Sequence, residues 1–390
     1  MKKEKTKNYI IKPMSGGEAA AEALRQIGIE VMASYPITPQ SPIIETFSKM
    51  VADGRVNAET INVESEHSAM SACVGSAVAG AKTATASNSQ GLALMSEIVY
   101  VASGLRLPIL MAITNRALSA PISIHCDHSD SMMVRDSGWI QIYTENAQEF
   151  YEFLILAFKI ASRKEISLPI MVMADGFIST HQLEKVAIFD DKAIADFIGE
   201  YNAPYDFLNP QKPILVGPFS VQDSHFEFKL SQQKAIERVP AIFKEEAKNF
   251  KKITGKDYKF FEEYRLKDAN TAIVVMNSTA GTAKEVVDKL RDKGEKVGLL
   301  KPHLFRPFPY KEIAEALKKV KKIAVLDRSM SFGANPPLFA EINQSLAGTR
   351  IPIQKYVFGL GGRAIFERQI EQVFADLKKG KIDDKIKYIQ

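Results

Sequence analysis

The sequence predicts an α/β protein in three parts: a parallel-sheet domain over 1–185, a connector with helices over 186–268 and a second α/β domain over 269–390. Three observations predict it. Short, continuous apolar runs alternate with helix-patterned stretches, as expected of strands covered on both faces by crossover helices. The alternation stops near residue 186, where proline-containing and then charged stretches follow, and it restarts at Thr271. The length agrees, because 390 residues at roughly 150 per domain correspond to about two to three domains.

Taken in order, Ala19, Ala20, Ala21, Leu24 and Ile27 recur at helical spacing and run into Gly28, a helix stop. Residues 29–34 then read as a short buried strand that runs into the proline-rich stretch 35–42. After Gly54, residues 60–63 form the next strand pattern, followed by a helix rich in Ala, Ser and Gly. Residues 83–86, 108–113 and 169–173 are further strand-like runs. Between 202 and 218 prolines interrupt any regular pattern. Over 226–264 apolar residues recur at helical spacing within a charged stretch, so this part reads as an irregular connector with one or two helices. In the last domain 272–276, 296–300 and 322–326 read as strands, and 280–293 and 310–319 as helices. No internal repeat or low-complexity tract is visible.

Composition excludes several function classes. Cys73 and Cys126 are the only cysteines, too few for a disulfide framework, a four-thiolate zinc site or an iron–sulfur cluster, and no CxxC occurs. Any such cluster must come from another chain. The six histidines include no HxxxH pair, so a metal site built by this chain alone is not expected, with carboxylate ligands left open. The net charge of +5 sits at the two ends: residues 1–7 carry four lysines and one glutamate, and 376–390 carry five lysines and three aspartates. The body between them is neutral, which argues against a nucleic-acid-binding face. The N-terminus lacks the apolar stretch of a signal peptide, and no run long enough to span a membrane occurs. A soluble, reducing, cytoplasmic setting is expected.

Four stretches carry candidate chemistry. In 35–42, Pro36, Pro39 and Pro42 stiffen a turn at the carboxyl end of a strand, where ligands bind in open α/β sheets, and Thr38 offers a hydroxyl there. A stiff loop with Pro42 in the first helical turn is the plainer reading. In 63–77, Glu64 and Glu66 open a helix whose small residues permit close approach of a backbone or planar ligand. The helix N-terminal dipole by itself accounts for a carboxylate pair. Arg116 follows a strongly apolar strand, placed to grip a carboxylate in a forked geometry or to serve a structural salt bridge. The 125–131 stretch (HCDHSDS) superficially resembles a metal cluster but lacks zinc spacing, so a densely hydrogen-bonded loop explains it better. The glycines of 331–334 and 358–363 lack the strand–turn–helix context of a dinucleotide fingerprint, and no Walker-type loop is present.

Six segments in one order, 35–39 (YPITP), 62–69 (NVESEHSA), 89–92 (SQGL), 115–120 (NRALSA), 127–130 (DHSD) and 304–309 (LFRPFP), resemble the α subunits of four-subunit pyruvate:ferredoxin oxidoreductases, within the 2-oxoacid:ferredoxin oxidoreductase family. The resemblance implies that the first domain is of the thiamine-diphosphate pyrimidine-binding type and that the last is like the transketolase C-terminal domain. It matches Glu66 to the glutamate that contacts N1′ of the aminopyrimidine, Arg116 to the ligand of the substrate carboxylate and Thr38 to the hydroxyl beside it. Glu64 lacks the match. Pro36, Ile37, Ser89 and Gln90 are expected to line the cofactor or a subunit contact. A single threonine and arginine suit a monocarboxylate such as pyruvate, since the 35–39 turn holds no second cation. The chain has no GDG motif and no cluster cysteines. By the resemblance, Mg2+ with the diphosphate site and a [4Fe–4S] cluster belong to a β subunit, further parts to γ and δ subunits, and ferredoxin takes the electrons. The implied reaction converts pyruvate and CoA reversibly to acetyl-CoA and CO2. Alternatives are the same reaction on 2-oxobutyrate, 2-oxoisovalerate or 2-oxoglutarate, or a non-catalytic scaffold subunit of such a complex.

Overall fold

The structure, a computed structural model, describes residues 9–390; the basic stretch 1–7 lies outside the described residues. A seven-stranded sheet forms the first domain, in the order Leu304–Arg306, Ile140–Tyr143, Ile170–Asp175, Leu110–Asn115, Thr83–Ser87, Val31–Ser34, Glu59–Asn62. All neighbours are parallel except the first, which runs antiparallel to Ile140–Tyr143. The four strands from Thr83–Ser87 to Ile140–Tyr143 in this order are buried at every position, so the continuous apolar runs do mark a sheet covered on both faces. Glu59–Asn62 is an edge strand and largely exposed.

The covering helices follow from local chemistry. Gly16–Ile27 begins with a capping box between Ser15 and Glu18 and stops at Gly28, which takes the left-handed conformation (φ 72°). Its alanines 19, 20, 21 and 23 are fully buried, which lets it pack closely on Ala147–Ala161. That second helix is absent from the elements expected above: its polar residues Gln148, Glu149, Glu152 and Lys159 share one face, but its centre, Phe153–Phe158, is a continuous apolar run that reads equally as a buried strand. Ser41–Ala52 carries Pro42 in its first turn, as expected.

The second sheet has the order Lys387–Ile389, Ile353–Phe358, Lys322–Asp327, Thr271–Val274, Val297–Pro302, Phe261–Tyr264, with only the last strand antiparallel. Phe261–Tyr264 corrects the helical reading of 226–264 at its end, where these four residues form an edge strand. The helices there are His225–Ile236 and Val239–Thr254. Within the stretch expected as connector, Glu184–Phe189 pairs antiparallel with Tyr9–Met14, and Asp191–Ile198 packs on Gly16–Ile27.

Two features lock the domains together. Leu304–Arg306 leaves the second domain to complete the first domain's sheet. Lys301, only 1% exposed, lies 2.5 Å from Glu145, 2.6 Å from Glu149 and 2.9 Å from Glu262, and Lys284 joins Glu145 and Glu262 from outside. Burial opposes the Lys301 charge, but the three carboxylates outweigh it and hold its pKa above the ordinary value.

Candidate active site

Strands of a parallel sheet deliver their following loops to one end, and four of these carry the candidate residues: 35–40, 63–66, 88–91 and 116–130. Glu66 opens the helix Glu66–Val78, whose N-cap Ser65 accepts the Ser68 N–H through its hydroxyl at 3.2 Å. The side chain is folded inward and 7% exposed. Gly91 makes room for it, because a Cβ there would stand 2.6 Å from Glu66 Oε1 and 2.6 Å from Ser87 Oγ. Among the described residues no donor reaches the Glu66 carboxylate, and the buried Ser87 hydroxyl beside it also has no partner. Glu64, two residues earlier, is exposed and accepts from the Ser68 hydroxyl, which lowers its pKa.

Arg116 is 6% exposed, yet no carboxylate of the described residues forms an ion pair with its guanidinium. Its Nε donates to the Ser123 carbonyl at 2.7 Å and its Nη1 to the Thr38 carbonyl at 2.9 Å, so the structure brings Thr38 and Arg116 together through the main chain. Burial lowers the Arg116 pKa, with the Asp130 charge opposing. Thr38 is exposed, as is Pro36, and Ile37 is half-buried in the same turn. That turn is pinned by buried Gln40, which donates through its side chain to the Tyr35 carbonyl, and by Pro39, which packs against Gly176. Ser89 is fully buried with φ 46° and donates from its hydroxyl to the Ala117 carbonyl at 2.5 Å. Gln90 Nε2 donates to the Ser119 hydroxyl. The 88–90 and 116–119 loops are thereby joined.

Sequence reasoning assigned no role to two further carboxylates. Asp130 lies fully buried at the end of the 116–130 loop. Asp175 ends the strand Ile170–Asp175, fully buried, and receives His128 Nε2 at 2.9 Å, Cys126 Sγ at 3.2 Å, Asn277 Nδ2 at 2.9 Å, Arg328 Nη1 at 3.0 Å, and both the N–H and the hydroxyl of Ser278. Burial alone would raise its pKa, but Arg328 and the His128 hydrogen bond hold it far below the ordinary carboxylate range. Its one sequence signal is an acid at the carboxyl end of a continuous apolar run. From the second domain, the Arg328 carbonyl accepts the His128 N–H at 2.9 Å and Gly361 N–H donates to Asp127 at 3.1 Å, so that domain grips the 125–130 loop.

Two groups of metal-capable side chains converge among the described residues: Cys126, His128 and Asp175, and Glu149, Glu262 and His303. In each a protein cation already meets the carboxylate charge, Arg328 in the first and Lys301 in the second. Burial and the Asp175 charge push the Cys126 thiol well above its ordinary pKa, so it stays protonated. The donor set at Glu66 fits a different ligand: a nearly buried carboxylate without a donor, beside a glycine that admits close approach, suits a flat nitrogen heterocycle such as the aminopyrimidine of thiamine diphosphate.

Residues 22–248 match the family model described as pyruvate flavodoxin/ferredoxin oxidoreductase, thiamine diphosphate-binding, and 269–370 match pyruvate:ferredoxin oxidoreductase core domain II. The chain is 48% identical to the protein named pyruvate synthase subunit PorA of Thermotoga maritima, covering 96% of this chain and 97% of that one. It is 40% identical to the ketoisovalerate oxidoreductase subunit VorA of Pyrococcus horikoshii, covering 98% of each. Among solved structures, a 2-oxoglutarate:ferredoxin oxidoreductase from Magnetococcus marinus superposes with a TM-score of 0.74 at 20% identity over 95% of this chain; this chain spans 65% of that neighbour's length. A split-gene transketolase superposes at 0.55 and 13% identity, over 94% of this chain and 98% of that one, so the α/β fold is shared with that protein. By the family-model match over more than half its length and the relatives along nearly all of it, the chain belongs to the pyruvate flavodoxin/ferredoxin oxidoreductase family.

Proposed function

We propose that this chain is the pyrimidine-side subunit of a pyruvate:ferredoxin oxidoreductase, which converts pyruvate, CoA and oxidised ferredoxin reversibly to acetyl-CoA, CO2 and reduced ferredoxin. The observation that carries the reading is that two buried groups lie at one end of one sheet and are uncompensated among the described residues: the Glu66 carboxylate has no donor there and the Arg116 guanidinium no counter-ion. When bound, thiamine diphosphate supplies the electron sink for decarboxylating a 2-oxoacid.

The residues of this chain divide the remaining work. Glu66 holds a hydrogen bond at the pyrimidine N1′ and so sets the basicity of the ring. Arg116, presented by Ser123 and Thr38, orients the substrate carboxylate, which must leave as a neutral molecule; the guanidinium therefore positions it rather than trapping it. The exposed Thr38 hydroxyl assists, and Pro36, Ile37, Ser89 and Gln90 line the cofactor or the subunit contact. Mg2+, the diphosphate site and the [4Fe–4S] clusters lie on partner subunits, β foremost with γ and δ, because this chain lacks GDG and has two buried cysteines only. In this reading 1–185 is the pyrimidine-binding domain, 186–268 the connector and 269–390 the transketolase C-terminal-like domain.

A cytoplasmic placement is part of the proposal, and no helix among the described residues is long and apolar enough to cross a membrane. The 40% identity to a ketoisovalerate oxidoreductase subunit favours one second reading, the same reaction on a branched 2-oxoacid; kcat/KM measured across 2-oxoacids separates the two. The function is tested by copurification from the native source. Recovery with a GDG-containing, cysteine-rich partner together with thiamine and iron supports it, and an active homomer without either overturns it.

A further inference from the structure

We infer that Asp130 is a positioning residue for substrate binding, fixing the main chain of Arg116 and Ser89 so that the two loops meet in one site. The inference rests on the reading of Arg116 as the carboxylate-binding group. Asp130 is fully buried and uses both oxygens twice. Oδ1 accepts Asn115 Nδ2 and Ser131 N–H, each at 2.7 Å; Oδ2 accepts Ser89 N–H at 2.9 Å and Arg116 N–H at 3.0 Å. It therefore ties together the loops that follow Thr83–Ser87 and Leu110–Asn115.

The geometry leaves no substitute. An asparagine here keeps one carbonyl oxygen, and its NH2 faces two donors whichever way the amide is turned. Ser89 has the further burden of a left-handed backbone (φ 46°), which a non-glycine residue adopts only when its surroundings hold it there. Burial pushes the Asp130 pKa up to about 6 against the pull of these four donors, so the charge persists at neutral pH through geometry built around it. Asp130 touches neither substrate nor cofactor in this account, since its oxygens are saturated by the protein. Its effect is passed on by Arg116.

The test is a double-mutant cycle in the assembled enzyme with wild type, Arg116→Ala, Asp130→Asn and the double variant, reading KM for pyruvate, kcat and bound thiamine. We expect Asp130→Asn to raise KM about tenfold or more with thiamine content unchanged, in line with loss of charged hydrogen bonds, and to raise it no further once Arg116 is alanine. An Asp130→Asn enzyme that loses only kcat or thermal stability, with KM unmoved, has a structural aspartate and overturns the proposal. Multiplicative effects on KM also overturn it. If Arg116→Ala itself leaves KM unchanged, the reading of Arg116 fails first and the proposal with it. Should Asp130→Asn fail to assemble, Asn115→Ala removes one donor from Oδ1: a few-fold rise in KM that vanishes in the Arg116→Ala background supports the proposal, and an unchanged KM overturns it.

Discussion

Glu66 and Asp175 are buried carboxylates at the same end of the same parallel sheet, and their surroundings are opposite. Asp175 is met by five residues from three segments of the chain, among them Arg328. Glu66 is met by none among the described residues, and a glycine faces it. A buried charge with a full set of donors rigidifies the protein around it, whereas one without them is costly to keep. The Asp175 region thus fixes the second domain against the site loop, while the Glu66 region, on the function proposed above, is held open for a partner from outside the chain.

That contrast makes ordered predictions. Glu66→Gln should lower pyruvate-dependent reduction of a low-potential dye by about 10²–10⁴-fold while leaving assembly near wild type and thermal stability at or above it, because no hydrogen bond to the described residues is lost and a costly buried charge is removed. A variant that unfolds instead would place Glu66 with Asp175. Asp175→Asn should do the reverse, lowering unfolding stability in urea by about 3–5 kcal/mol by leaving Arg328 buried without its counter-charge. The sign with pH follows from its depressed pKa: the stability Asp175 contributes is complete above its ordinary value of 3.8 and is lost as pH falls below it. The gap between wild type and Asp175→Asn should therefore stay constant above about pH 4 and narrow as pH falls further, by about 1.4 kcal/mol per unit at most.

Smaller effects sharpen the picture. Gly91→Ala drives a methyl against Glu66 and Ser87, so it should cost about 1–3 kcal/mol of stability and lower turnover without raising KM for the substrate. Glu64→Gln should change neither turnover nor assembly, since Glu64 is exposed and contacts only Ser68. An activity loss there equal to that of Glu66→Gln would remove the distinction between the two.

How much of this was legible follows the range of the interactions. The strand Leu110–Asn115 announces itself by a continuous apolar run, and the stop at Gly28 by the residue itself. Ala147–Ala161 does not, because its continuous apolar centre, Phe153–Phe158, reads equally as a buried strand. The pairing of Leu304–Arg306 with Ile140–Tyr143 joins residues far apart in the chain, and no local pattern encodes that register. The same holds within the site. Glu66, Thr38 and Arg116 sit in short motifs that can be matched segment by segment. Asp175 acquires its role from Asn277 and Arg328, 102 and 153 residues away, and only the folded chain brings them together.

On the function proposed above, Glu66 is left without a partner among the described residues so that it acts on the pyrimidine ring. This is tested most directly by the deuterium exchange rate of the thiazolium C2 proton of thiamine diphosphate bound to the assembled complex, followed by NMR without substrate. The account predicts rapid exchange in the wild type and Glu64→Gln enzymes and exchange slowed about a hundredfold or more in Glu66→Gln. Wild-type exchange in Glu66→Gln with the cofactor bound would contradict it.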